Sequence, residues 1–168
     1  MTKNILIAYA TRAGSTMEIA DSVGKILAES GVGVEVMPVK AVGRVADYSA
    51  VVLGSAVRMG SIMPELMKFV KTHKTELQKM PVAAFAVCMS MKDDTPEKRK
   101  ESESYLDGLR KEVPLVSEGF FAGRMDYKKL NFFVRFMIKN MIKTPEGDFR
   151  DWKKIREWAE KVGSSLKS

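Results

Sequence analysis

Apolar runs of strand length alternate with segments of helical periodicity five times along the chain, and this leaves few architectures open. The runs are Asn4 to Ala10, Val32 to Met37, Ala50 to Ser55, Pro81 to Cys88 and Leu115 to Ala122. Between them, Ile19, Val23, Ile26 and Leu27 recur at helical spacing until Gly31, and Leu66, Phe69, Val70, His73 and Leu77 share one helical face behind Pro64. Thr95-Pro96 opens a capped helix with Tyr105, Leu106 and Leu109 inward and Pro114 at its end. A last helix, from about Asp151, carries Trp152, Ile155, Trp158, Ala159 and Val162 at the same spacing. Right-handed crossovers between parallel strands carry their helices over both faces of the sheet, so the expected class is α/β, a three-layer doubly wound parallel sheet of five strands.

Ligands of such sheets bind beyond the carboxyl ends of the strands. Three turns emerge there: Thr11 to Thr16, Ser55 to Gly60 and Met89 to Asp94. The first follows an apolar strand and leads into a helix. Thr11, Ser15 and Thr16 offer hydroxyl donors, Gly14 lets the backbone turn without a Cβ, and the opening helix turns free N–H groups and its positive dipole end toward an anion. No Lys follows a second glycine, and the three spaced glycines of a dinucleotide fingerprint are absent. A single terminal phosphate fits this turn; on this stretch alone, so does an ordinary strand-to-helix turn with a capping Thr.

The 168 residues, 45% apolar and 29% charged, suit one globular domain over residues 1–168. Met1-Thr2-Lys3-Asn4 runs directly into a strand, so no secretory signal is expected, and no apolar run reaches the ~18 residues of a membrane span. Cys88 is the sole cysteine; it excludes an internal disulfide, reads as a buried inert thiol, and fits a reducing cytoplasm. His73, three residues beyond Val70 and mid-helix, reads as a packing or boundary residue, and no metal site is expected.

A net charge of +7 raises nucleic acid or anionic lipid as partners, yet the chain has no nucleic-acid motif and none is expected to bind. The excess is local: Arg124, Lys128, Lys129, Arg135, Lys139 and Lys143 oppose only Asp126. These residues belong to an insert at about 124–150, whose stretch Leu130 to Lys143 is apolar over most of its length, with Asn131, Arg135, Lys139 and Lys143 on one stripe. Three uses remain open for it: an anionic membrane surface, a homodimer or partner contact, or a cover over the sheet edge.

With these turns in place, the chain resembles the flavodoxin family. Within that superfamily, Thr11-Arg12-x-Gly14-x-Thr16, Val57-Arg58-x-Gly60, Ala122-Gly123 and Arg135-Phe136-Met137-Ile138-Lys139 followed by Asp151-Trp152 look like the menaquinone-dependent protoporphyrinogen dehydrogenases. The resemblance implies a flavodoxin-like strand order 2-1-3-4-5, a helical insert before the last helix, and bound flavin mononucleotide (FMN). It places Thr11, Arg12, Ala13, Gly14, Ser15 and Thr16 at the flavin phosphate. Ala56, Val57, Arg58, Met59 and Gly60 would border the ring, Cys88, Met89, Ser90 and Met91 would face it from the other side, and Gly123, Arg124, Met125 and Asp126 would close the pocket. Arg58 is the candidate for a positive charge that raises the flavin's potential.

The implied activity is an FMN-dependent oxidoreductase that passes electrons from a porphyrinogen-like substrate to a quinone, with the flavin reacting and no catalytic side chain. It would work in the cytoplasm or peripherally on the inner face of the cell membrane. The alternatives are a non-catalytic electron carrier that docks to a redox protein and a binding module without flavin.

Overall fold

In the computed structural model, which describes residues 4–12, 14–125, 136 and 147–167, each of the five apolar runs forms a strand. In chain order the elements are β1 (Ile5–Ala10), α1 (Ser15–Ala28), β2 (Val34–Pro38), β3 (Ala50–Arg58), β4 (Ser61–Ile62), α2 (Pro64–Thr72), α3 (Lys74–Leu77) and β5 (Val82–Val87). They continue with α4 (Pro96–Ser104), α5 (Asp107–Glu112), β6 (Ser117–Phe121), β7 (Arg124–Met125), β8 (Gly147–Asp148) and α6 (Trp152–Ser165). Strands β2, β1, β3, β5 and β6 lie side by side and parallel. This is the 2-1-3-4-5 order expected, once the short β4 is left out of the count.

Every residue of β1 and β5 is buried, because helices cover both faces of the sheet and neither face can be polar. Period-two geometry divides the core. Ile5, Ile7 and Tyr9 of β1 pack with α1 and α6, whereas Leu6, Ala8 and Ala10 pack with α2, α3 and α5. Ile19, Val23, Ile26 and Leu27 of α1 are all buried as their spacing predicts. The helix ends before Gly31, whose φ of 86° is the left-handed conformation common after a helix. In register, Ala10 pairs with Ser55, Ala56 with Val87 and Val87 with Phe121, so four strands end together and their turns emerge along one edge.

Four expectations are corrected. The helix behind Pro64 is broken: His73 has φ −106° and ψ 20°, between α2 and α3, and its ring lies 4.7 Å from that of Phe69. Just before the break the Thr72 hydroxyl donates to the Lys68 carbonyl, a back-bond that bends helices. The helix opened by Thr95-Pro96 likewise divides into α4 and α5 at Tyr105-Leu106, where Leu106 leaves helical geometry and the poor helix formers Asp107 and Gly108 follow. Trp152 is 43% exposed rather than packed on the sheet; it lies in the first turn of α6, whose Asp151 cap accepts from the Lys154 amide.

The fourth correction concerns Ser55 to Ser61, expected as a loop. Strand β3 continues to Arg58, turns over two residues and returns as β4, with Arg58 paired to Ser61. Both turn residues have positive φ, 53° at Met59 and 76° at Gly60, the requirement of a type I′ turn, which favours Asn-Gly. Met59 is 85% exposed and gains little from burial to offset that backbone. Met59→Asn is therefore expected to stabilise the protein by about 0.5–1 kcal/mol, a rise in Tm of roughly 1–4 °C. A lower Tm in a thermal melt would show that the Met59 side chain contributes more than its exposure implies.

Candidate functional site

The turn between β1 and α1 lies at the sheet's switch point, since β1 is flanked by β2 on one side and β3 on the other. Gly14 is left-handed (φ 89°, ψ −15°), and its amide donates to Thr11 Oγ1 at 3.3 Å, which closes the turn. Among the described residues no side chain caps the helix that starts at Ser15, so its first N–H groups are left for another acceptor. Beside them Thr16 is fully buried, yet its Oγ1 has no hydrogen-bond partner among the described residues. A buried hydroxyl left unpaired costs about 1–3 kcal/mol, so this atom calls for a further hydrogen-bond partner. Ser15 is also buried. The Arg12 guanidinium reaches Glu65 at the start of α2, 3.1 Å away on the exposed rim. Ala13 lies outside the described residues.

The other expected residues converge on this edge. Ala56, Val57 and Arg58 are half-buried on the hairpin arm, and Arg58 makes no ion pair among the described residues. Ser55, just before them, is buried; its Oγ donates to the Ala56 carbonyl at 2.8 Å and accepts the Met63 amide at 2.9 Å, which fastens the hairpin to the start of α2. Across the sheet, Cys88 is 4% exposed and Met89, Ser90 and Met91 are half-buried in a short 3-10 turn. This turn is held from behind by Ser102 of α4, which is fully buried. Ser102 Oγ donates to the Lys98 carbonyl at 2.8 Å and lies 3.1 Å from Ser90 Oγ and 3.5 Å from Cys88 Sγ. Because its one proton is used, the Ser90 hydroxyl and the Cys88 thiol are the donors to it.

Gly123 brings the end of β6 against the first turn. A Cβ there would lie 2.9 Å from Val87 Cγ1 and 3.2 Å from Ser15 Oγ, a spacing that only glycine accommodates without a shift. Beyond it, β7 and β8 pair at the base of the insert, and the Phe149 amide donates to the Gly123 carbonyl at 3.2 Å. Asp126 and the stretch Leu130 to Lys143, apart from an exposed, helical Phe136, lie outside the described residues.

Several neighbours of the candidate site escaped the sequence. Glu18, in the first turn of α1, meets Arg124 at 3.4 Å and also Arg150. The Arg150 side chain is only 5% exposed; it bonds both oxygens of Asp148 and stacks 4.7 Å over the Trp152 ring. The Arg150 guanidinium holds the Asp148 carboxyl below the usual carboxylate range. On the rim of the third turn, Arg99 and then Lys154 do the same to Asp94, fastening that turn to α6. The only advance signal was the spacing Ser15-x-x-Glu18, a capping-box pattern.

Among the described residues no cluster of His, Cys, Asp or Glu side chains could hold a metal ion, and no helix is long and apolar enough to cross a membrane. The chemistry on offer is anion capture by backbone and hydroxyl donors in the turn between β1 and α1, on the sheet edge from which the hairpin and the Cys88 turn also emerge.

Residues 6–151 match the flavodoxin domain family. The chain is 30% identical over 168 residues to the protoporphyrinogen IX dehydrogenase (quinone) of Leishmania major, covering 92% of this chain and 72% of that protein. It is 29% identical over 170 residues to the enzyme of the same name from Escherichia coli K12, covering 94% and 93%. Among solved structures, a flavodoxin from the domain Archaea superposes with a TM-score of 0.62 over 98% of this chain and 99% of the other; at 13% identity, that likeness concerns the fold.

Proposed function

This chain belongs to the flavodoxin domain family, and from that premise we propose that it is an FMN-dependent oxidoreductase that takes electrons from a porphyrinogen and passes them to a quinone. The observation that carries the cofactor is the unpaired, buried Thr16 Oγ1 beside an uncapped helix start. Those groups fit a phosphate monoester: the helix N–H groups donate, the hydroxyl is able to donate, and a dianion accepts from several at once. Thr11, Gly14, Ser15 and Thr16 would hold the phosphate. The hairpin Ala56 to Gly60 and the turn Cys88 to Met91 would wall the ring, with Gly123 and Arg124 at the closing edge.

When bound, FMN would supply the redox chemistry. The chain's own part is to orient and to shield. Ser55 fastens the hairpin to the start of α2 and Ser102 fastens the Cys88 turn to α4, and the half-buried Arg58 places a positive charge on the hairpin, which favours the electron-rich state of whatever lies beside it. The porphyrinogen and the quinone are carried by the likeness to the two dehydrogenases, which spans more than nine-tenths of this chain.

The test is anaerobic mixing of flavin-loaded protein with protoporphyrinogen and a menaquinone analogue. Porphyrin fluorescence should rise well above the spontaneous rate and depend on the quinone. A protein that binds FMN and yet leaves that rate unchanged would instead be an electron carrier, and one that stays colourless in excess FMN would lose the redox role altogether.

A further inference from the structure

Helix α4 reads Pro-Glu-Lys-Arg-Lys-Glu-Ser-Glu-Ser and carries no apolar side chain beyond its first proline. Eight of its nine residues are exposed, and Ser102 alone is buried. By contrast α1 buries eight residues, and α6 buries Ile155, Trp158, Ala159 and Val162. A helix as short as α4 is marginal by itself and is normally held in a protein by an apolar face, which α4 lacks.

The contacts that fasten α4 are short in reach. Thr95 caps it and Arg99 bonds both oxygens of Asp94, but Asp94 and Thr95 precede the helix in the same segment. Lys98 and Tyr105 both reach Glu101. These contacts hold the segment to itself, and exposed ion pairs add little. Outward, Asp94 meets Lys154 of α6 at the surface, and Ser102 Oγ receives the Ser90 hydroxyl and the Cys88 thiol. Beyond α4, Leu106 is fully buried and departs from helical geometry (φ −95°, ψ 2°), so α5 is fixed to the core independently of α4. The break at Tyr105-Leu106 is a hinge.

We propose that α4 is a gate: it leaves the body and melts as a unit, hinged at Tyr105-Leu106, and so frees the turn Cys88 to Met91 for a flat ring to enter beside it. The release follows from the composition of α4, while the ring rests on the FMN reading above and deepens it. Because α4 is folded both before and after entry, its stability sets how fast the flavin comes and goes, not how tightly it is held.

Cys88 is 4% exposed and is the sole cysteine, so its rate of reaction with Ellman's reagent reports the open state of the flavin-free full-length protein. The reagent is kept dilute, so that reclosing outruns the reaction. Lys100 is exposed in mid-helix, two positions from Ser102 and thus on the opposite side. Lys100→Gly should label about fivefold faster than Lys100→Ala, which is the difference in helix propensity between glycine and alanine. Leu27→Ala, in the core beside α6, should lower Tm yet label at the parent's rate, because the release of α4 bypasses global unfolding. In stopped-flow measurements with FMN, uptake and release should both be about fivefold faster in Lys100→Gly than in Lys100→Ala, with Kd equal to within about twofold.

Equal labelling of the Lys100 pair, or faster labelling of Leu27→Ala, overturns the release of α4. Unequal labelling with equal rates of FMN exchange overturns its role as a gate. If the parent takes up no FMN, the FMN reading fails and the gate loses its ligand, a result separate from either labelling outcome.

Discussion

Thr16→Val is expected to weaken FMN binding by roughly 10- to 100-fold while leaving the ligand-free protein at least as stable as before. The substitution keeps the shape and removes one hydroxyl. In the free protein that hydroxyl is fully buried and unpaired, so its loss relieves a desolvation penalty. In the complex it would donate to a charged oxygen, and such a bond is worth about 1.5–3 kcal/mol. Stability and affinity therefore move in opposite directions, a pairing that ordinary damage to the core cannot produce. Riboflavin, which lacks the phosphate, should bind the variant and the parent alike. Calorimetric melting of the flavin-free protein and parallel titrations with the two flavins check both halves. Equal weakening with both ligands would move Thr16 from the phosphate to the fabric of the helix, and no weakening would remove the phosphate from this turn.

The parts of the fold legible in the sequence are those where one physical rule acts alone. Strands β1 and β5 read correctly because burial on both faces forbids polar residues anywhere in them. Helix α1 read correctly because its apolar stripe and its terminal Gly31 agree, and Thr95 because a hydroxyl cap before proline has few other uses; its Oγ1 accepts the Lys98 amide at 3.2 Å. The β3–β4 hairpin was hidden because Met59 takes a positive φ that methionine does not advertise. The break at His73 contains neither glycine nor proline, and its visible companion is a hydroxyl on the preceding residue that bonds backwards.

The candidate site divides in the same way. Its backbone donors and hydroxyls lie within six consecutive residues and could be read as a motif. Its charge balance could not, since Glu18 and Arg150 stand 132 positions apart and ion pairing has no period in sequence. Trp152 illustrates the competition between rules: it has the spacing of a core residue, but the guanidinium of Arg150 uses its ring as a plate, and the side chain stays at the surface.

Phe85→Ala should be the most destabilising single change in the sheet, by about 3–5 kcal/mol, which for a protein of this size lowers Tm by roughly 6–20 °C. The ring is fully buried and meets Phe121 and Trp158 at centroid distances of 6.0 and 5.8 Å, joining β5 to β6 and α6. Its tip lies over Gly54, its register partner on β3: a Cβ added there would stand 2.3 Å from Phe85 Cζ. Gly54→Ala alone is accordingly expected to cost about 1–3 kcal/mol through overpacking. Combined with Phe85→Ala the sign should reverse, because the new methyl enters space the ring has left. The double variant should then melt at or above Phe85→Ala, and simple addition of the two losses would show that ring and glycine do not share that space. The pair stands one residue before Ser55 and Ala86, where β3 and β5 lead toward the hairpin and the Cys88 turn, so, on the FMN reading proposed above, the same loss should loosen flavin binding. Saturating FMN should then recover more stability in the parent than in Phe85→Ala, in proportion to the difference in their affinities.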